Sequence, residues 1–198
     1  MTIIALDFEA SCLPRHGRSY PIEIGIADEH GLIRSWLIRP PDAWAGWGWT
    51  QEAERLHGIS KEQLARDGLP PARVVAELEP YVRGARVIAD SHFDAPWLTT
   101  LSALAAKPPP CAIGHVADLL EEMGAAYEHV EAALRQLDRQ PFRRHRAAED
   151  ARFIIALVRE VRGQVEKTRK SQPVFDWRRA PPIARPSAYR PSNVGSVR

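Results

Sequence analysis

The stretch Ile3-Ile4-Ala5-Leu6-Asp7-Phe8-Glu9-Ala10 is an apolar run of strand type that carries two acids, one residue apart, at the end where a core strand should stay oily. Successive side chains of a strand turn to opposite faces, so Asp7 and Glu9 point the same way, with Cα atoms roughly 6–7 Å apart. Two carboxylates on one face can share a cation. Buried without compensation, each ion loses hydration and repels the other. Read alone, the pair has a simpler explanation, in which the strand has ended and both acids stand in water. The rest of the chain bears on that choice.

Outward from this strand, two more strand-like runs follow at 20–27 and 32–38, with Glu29-His30-Gly31 between them as a hairpin turn. Three antiparallel strands should therefore start the fold. The period then changes. Residues 50–57 read as a short helix stopped by Gly58, and Ser60-Lys61-Glu62-Gln63 looks like a capping box for the next turn. Residues 71–82 are helical, 86–89 form a short buried strand, and 94–105 are helical again. Pro108-Pro109-Pro110 breaks the chain before a strand-like stretch at 111–116, and helical patterns resume at 127–137 and 147–162. Strands first, then strands alternating with helices, predict an α/β arrangement with a mixed central sheet of about five strands flanked by helices.

With 198 residues, 44% of them hydrophobic, the chain is long enough for one domain with a continuous core. It goes straight into a strand pattern without the marks of a signal peptide, and no apolar stretch approaches the ~18–20 residues of a membrane span. A soluble, cytoplasmic protein with no membrane partner is expected. The two cysteines, Cys12 and Cys111, show neither metal-type pairing nor a disulfide framework, which suits a reducing compartment. The net charge of +2 hides an asymmetry, because residues 163–198 carry +6 and the remainder −4. That segment also gathers Pro173, Pro181, Pro182, Pro186 and Pro191 and lacks apolar periodicity. It reads as a flexible basic tail appended to a domain spanning 1–162. The tail could add nonspecific affinity for nucleic acid through counterion release, or serve only for solubility or partner docking.

Two further acidic sites stand out. In Ala89-Asp90-Ser91-His92-Phe93-Asp94-Ala95-Pro96, Asp94 is a candidate helix N-cap, since its carboxylate can accept a backbone N–H and proline tolerates the first turn. The same position, just beyond the carboxyl end of a buried strand, is where α/β folds gather functional groups. In Arg143-Arg144-His145-Arg146-Ala147-Ala148-Glu149-Asp150, the acids suit the first turn of a helix through its dipole. Five helical residues turn through roughly 500°, so His145 and Asp150 would not share a face if both were helical. His145 is therefore expected on the entering loop, within reach of Asp150.

The order D-x-E, then F-D, then H-x-x-x-x-D resembles the DEDD-type 3′–5′ exonucleases of the histidine subclass, the family of ribonuclease T, oligoribonuclease and the proofreading subunit of the bacterial replicative polymerase. The resemblance spans residues 2–162 and extends to Glu52-Ala53-Glu54-Arg55-Leu56-His57-Gly58-Ile59-Ser60, which looks like the family's His-Gly-Ile segment. The start, Asp7 to Cys12, is similar to the branch of histone-mRNA and small-RNA trimming exonucleases. One departure is visible. Many members carry Asn in the block before the middle Phe-Asp, where this chain has Asp90-Ser91-His92. Asp90 is thus an extra acid, to which no metal is assigned.

The resemblance implies a ribonuclease H-like fold and a two-metal 3′–5′ exonuclease that releases nucleoside monophosphates from single-stranded DNA or RNA. Clustered carboxylates suit two Mg²⁺ ions, with Mn²⁺ able to substitute. It implies Asp7, Glu9 and Asp150 around the first metal, Asp7 and Asp94 at the second, and His145 as the base that deprotonates the attacking water. An unperturbed pKa near ~6.5 suits imidazole to that role. Arg143, Arg144 and Arg146 are expected to oppose its protonation and to attract phosphate. The backbone from Phe8 to Ala10 and the His57 segment would receive the terminal nucleotide, although strand periodicity alone turns Phe8 into the core. Trp44, Trp47 and Trp49 offer either a stacking surface or ordinary packing. Two other readings stay open: a catalytically weak nucleic-acid-binding module, and an accessory to a polymerase or RNA-processing complex docked through the tail. A homodimer is a further possibility that the family allows.

Overall fold

Alternation along the first two strands sorts large side chains from small ones, and the rest of the architecture follows from that sorting. The computed structural model describes residues 1–142 and 144–171. Strand β1 (Ile3–Ala10) pairs antiparallel with β2 (Pro21–Asp28), which pairs antiparallel with β3 (Ile33–Leu37). Strand β4 (Arg86–Ala89) lies parallel to β1 on its other side, and β5 (Ile113–His115) lies parallel to β4. The result is the expected mixed sheet of five strands, in the order β3-β2-β1-β4-β5. The hairpin between β2 and β3 closes on Asp28, whose Oδ1 accepts from the backbone of His30 and Leu32.

On one face of the sheet, Ile4, Leu6 and Phe8 of β1 and Ile22, Ile24 and Ile26 of β2 form a core with the helices that follow β3. After α1 (Gln51–His57), the helices that supply core side chains are α2 (Lys61–Asp67), α3 (Pro71–Val82) and α4 (Asp94–Ala103). Their ends carry the expected signals. Thr50 Oγ1 caps α1 through Ala53 N–H, Gly58 ends it at φ 70°, and Ser60 Oγ accepts from Gln63 N–H at the start of α2.

The opposite face offers Ala5, Asp7 and Glu9 on β1, paired across from Ala27, Gly25 and Glu23 on β2. Small residues there admit α5 (Val116–Glu122), α6 (Tyr127–Leu137) and above all α7 (Ala147–Ser171). A Cβ on Gly25 would come within 2.1–2.4 Å of the Ala147 and Ala148 backbone, so the first turn of α7 lies directly on the strand. Glycine is required by that close approach.

The structure departs from the sequence expectation at three places. The 111–116 stretch is a strand only over β5, and Val116 already starts α5. The His115 ring caps that helix, with Nδ1 accepting from Ala117 N–H. Helix α7 runs nine residues beyond the boundary drawn at 162, because Val158, Val161 and Val165 continue its buried stripe and His129 and Met123 bond Thr168 and Arg169. Asp94 is the first residue of α4, while Phe93 takes the cap position. Of the tail expected over 163–198, residues 172–198 lie outside the described residues, as does Arg143. Among the described residues, no helix is long and apolar enough to cross a membrane.

Candidate active site

Three chain segments deliver carboxylates to one point beside the ends of β1 and β4. Asp7 and Glu9 project from the α7 side of β1, Asp94 opens α4, and Asp150 sits in the first turn of α7. Carboxylate oxygens of Asp7, Glu9 and Asp150 lie within 4.8 Å of one another, and so do those of Asp7, Asp90 and Asp94. Asp7 belongs to both groups. The strand has therefore not released its acids into water. A register shift between Glu9 and Ala10 ends the regular ladder beside the cluster, and such bulges re-aim side chains at sheet ends.

The electrostatics of the cluster are those of crowded, dehydrated acids. Burial first, and then the charges of Asp94, Glu9 and Asp150, push the Asp7 carboxyl well above the usual carboxylate range. Glu9 is raised to about 8 by burial and by Asp150 and Glu23. Asp94 rises to about 7, again through burial and then through Asp90. Its side chain is fully buried and neither carboxylate oxygen has a hydrogen-bond partner. Backbone N–H groups of Phe8, Ser91 and Asp94 itself oppose the rise without making well-aligned bonds. Burial also raises Asp150, against the pull of Arg144 and the backbone bonds from His145 and Arg146. Orphaned buried carboxylate oxygens and raised acids mark a site built for a positive ion, since a cation would repay both desolvation and repulsion. All-oxygen donors fit a hard divalent metal.

His145 stands on the loop two residues before α7, as expected, and is exposed. Its backbone is left-handed at φ 64°, uncommon for a residue with a Cβ. The Asp150 carboxylate holds that conformation. Oδ2 accepts from His145 N–H at 2.7 Å and from Arg146 N–H at 3.2 Å. One acid thus fixes the histidine loop, caps α7 and faces Asp7 and Glu9.

The two described arginines beside His145, Arg144 and Arg146, are engaged elsewhere. Arg146, expected on the substrate, forks onto Glu23 with bonds of 2.7 and 3.0 Å, and Glu23 Oε2 also accepts from Ala147 N–H. Glu23 is buried on β2 opposite Glu9, so this pair ties the histidine loop to the sheet. Arg144 Nε lies 2.6 Å from Asp150 Oδ1, with its guanidinium over the Phe153 ring. Neither cation is left as a free positive charge beside His145. Asp90, to which the sequence reading gave no metal, is brought to Asp7 and Asp94 by the turn over Ser91 and His92.

Next to the carboxylates, a cavity of about 160 Å³ is lined by Phe8, Glu9, Ala10, His57, Leu56 and Trp97, among others. Phe8 packs edge-on against Trp97 at 6.3 Å and also lines the cavity. His57 Nδ1 accepts from Ile59 N–H, which puts the ring proton on Nε2; that atom is buried without a partner. Burial lowers the pKa of His57 to about 4, so the ring is neutral near pH 7. Exposed Leu13 and Leu56 border the cavity, and exposed Phe93 packs beside Trp97. Sequence reasoning missed this apolar rim, whose only signal was hydrophobic residues at positions that serve no helix face. The tryptophans are largely structural. Trp44 stacks on Tyr20, Arg18 covers Trp47, and Trp49 bonds Glu54 and meets His57 edge-on. A roomier cavity, of about 390 Å³, lies between the β2–β3 turn and α7 and contains none of the clustered acids.

No family model matches the chain. No curated protein matches it by sequence. Solved structures do match. E. coli exonuclease I in complex with a dT13 oligonucleotide superposes with a TM-score of 0.65 at 13% identity, over 85% of this chain and 42% of that one. The zinc-bound form of the E. coli exonuclease I complex with single-stranded DNA gives 0.60 at 14% identity, over 85% and 41%. A full-length 3′-exonuclease gives 0.55 at 18%, over 84% and 61%. The chain spans less than half the length of the exonuclease I chains. At such identities the likeness speaks for the backbone: this chain has the fold of exonuclease I, the ribonuclease H-like mixed sheet with helices on both faces.

Proposed function

We propose that the protein is a two-metal 3′–5′ exonuclease of the histidine subclass, hydrolysing the terminal phosphodiester of single-stranded DNA or RNA to release nucleoside monophosphates. The observation that carries this reading is the pair of carboxylate groups that share Asp7. Asp7, Glu9 and Asp150 would hold one divalent cation, and Asp7 and Asp94 a second, with Mg²⁺ the expected ion and Mn²⁺ a substitute. Such a pair supplies charge stabilisation to the attacking and leaving oxygens of an in-line displacement.

The protein's own groups do the rest. The His145 ring takes a proton from the attacking water; the water oxygen bonds to phosphorus, the bond to the 3′ oxygen of the preceding nucleotide breaks, and that oxygen takes a proton from solvent. Asp150 positions His145 through the backbone. Glu23 and Arg146 fix the loop that carries it, so Arg146 is a positioning residue here. The cavity beside Glu9 receives the terminal nucleoside, with Phe8 and the Ala10 backbone as its floor and the unpaired His57 Nε2–H as a donor to sugar or phosphate oxygen. Leu13, Leu56 and Phe93 offer apolar contact to the base. The oligonucleotides bound by the exonuclease I structures support a single-stranded substrate.

The test is digestion of matched 5′-labelled single-stranded RNA and DNA with Mg²⁺, comparing the protein with Asp7→Ala. A ladder shortening from the 3′ end, absent in the variant, is the expected result and ranks the two substrates. A folded protein that cuts neither with Mg²⁺ nor with Mn²⁺ would favour the nucleic-acid-binding module.

A further inference from the structure

Asp90 follows β4 directly and has no part in the water activation assigned to His145. Its carboxylate nevertheless reaches within 4.8 Å of those of Asp7 and Asp94. Asp94 is fully buried, and both of its oxygens lack a hydrogen-bond partner. Among the described residues, no lysine or arginine forms an ion pair with Asp7, Asp90 or Asp94. Three acids meeting without a counter-charge, one of them sealed from water, form an energetically costly arrangement unless a cation completes it.

The position of Asp90 is also built. His115 Nδ1 accepts from Ala117 N–H, which leaves the ring proton on Nε2, and that atom donates to the Asp90 carbonyl at 3.0 Å. His92 stacks on His115 with ring centroids 4.6 Å apart, and Ser91 Oγ accepts from Phe93 N–H. The turn between β4 and α4 is thereby pinned to β5, and the Asp90 side chain stands at the exposed mouth of the cluster.

We infer that Asp90 supplies a third carboxylate to the second cation, making the Asp7–Asp94 position a three-acid site that fills before nucleic acid arrives. This rests on the two-metal nuclease reading and deepens it. With only Asp7 and Asp94, the latter dehydrated, a second ion would depend on substrate phosphate for its remaining charge. A third acid removes that dependence, since ligand charge count tunes the affinity of such sites.

The test is calorimetric titration of the full chain with Mn²⁺ in the absence of nucleic acid, for the wild type, Asp90→Asn and Asp94→Asn. The wild type should bind two ions. Asp90→Asn should keep one affinity unchanged and weaken the other by at least about tenfold, towards the loss seen in Asp94→Asn. Melting in EDTA supplies a second readout. Removing a like charge should leave the metal-free Asp90→Asn protein as stable as the wild type or more so, with a smaller gain on adding Mn²⁺. Two unchanged affinities in Asp90→Asn, or a wild type that binds one ion without nucleic acid, would overturn the inference. So would a variant that melts earlier in EDTA yet gains as much from Mn²⁺, since that marks a structural role. A wild type that binds no ion sinks the nuclease reading as well. If two ions bind and Asp90→Asn loses one, but no oligonucleotide is cut, the site stands and the nuclease reading fails.

Discussion

The two faces of the β1–β2 ladder are made by alternate residues of the same backbone and do opposite things. Ile4, Leu6 and Phe8 with Ile22, Ile24 and Ile26 are buried against α3 and α4, where each large apolar side chain contributes about 1.5–3 kcal/mol. One residue away, Ala5, Asp7 and Glu9 with Glu23, Gly25 and Ala27 give α7 little apolar bulk to pack on and crowd it with acids. Along these two strands the large apolar side chains take one face and the clustered acids the other. The first face can therefore be oily enough to carry the second.

Neighbouring substitutions would break this contrast most sharply. Leu6→Ala empties a fully buried core position and should cost about 2–5 kcal/mol by urea unfolding. Asp7→Asn, the next residue, should raise the melting temperature in EDTA, because it removes a dehydrated charge at the centre of the cluster, and should cut metal-dependent hydrolysis by more than about 100-fold. If Asp7→Asn destabilised the metal-free protein as Leu6→Ala does, the acids would be structural and the contrast wrong. Gly25→Ala comes next in size. Its Cβ would meet Ala147 and Ala148 backbone atoms, which cannot rotate away, so the cost should reach or exceed the upper end of the ~1–3 kcal/mol usual for overpacking. The start of α7 should shift with it, taking Asp150 and His145 out of register with Asp7. A Gly25→Ala protein with wild-type stability and activity would mean that α7 does not rest on the strand.

Acidity offers a milder probe of the same asymmetry. Glu9 and Asp94 titrate at about 8 and about 7 in the folded protein, against roughly 4 when unfolded. Between about pH 4 and about pH 8 the native state therefore holds more protons than the unfolded chain, and stability falls as pH rises through that window. Melting temperatures in EDTA should decline from pH 5 to pH 8, Mg²⁺ or Mn²⁺ should cancel much of the decline, and Asp94→Asn should flatten it. Leu6→Ala should shift the whole curve down without changing its slope. A metal-free stability that climbs over the same interval would contradict the dehydrated cluster.

How far sequence carried the fold can be read from single residues. The period-two alternation of β1 displayed Asp7 and Glu9 on one face directly, and turn chemistry at Gly31, Gly58 and Ser60 put the hairpin and the helix ends where they occur. The start of helix α5 was not legible, because its cap is an imidazole and the β-branched Ile113 and Val116 flank it as in a strand. The length of α7 was missed where Val161 and Val165 continue a stripe too sparse to count without α6 beside it. The need for Gly25 is not visible in sequence, since a close backbone approach leaves no trace in the strand's own pattern. Likewise, ion pairs such as Glu23–Arg146 join residues 123 positions apart, and only folding reveals that this arginine is occupied.

The smallest effect concerns Arg144, which among the described residues is the one cation in an ion pair with Asp7, Glu9, Asp94 or Asp150. Arg144 Nε sits against Asp150 Oδ1, and its side chain is 45% exposed. The guanidinium is open to water although Asp150 is buried, so the pair is worth on the order of 1 kcal/mol, and a cation held by Asp7, Glu9 and Asp150 must compete with it for the same oxygen. Arg144→Gln should therefore tighten Mn²⁺ at that position by up to about fivefold in calorimetry, with stability lowered by no more than about 1 kcal/mol. The Asp7–Asp94 position, which has no such competitor among the described residues, should not respond, so the variant separates the two ions of the cluster. Weaker binding instead would mean that the guanidinium, braced on Phe153, holds Asp150 in ligating geometry. In that case even the apolar packing along α7 would serve the acids rather than the core.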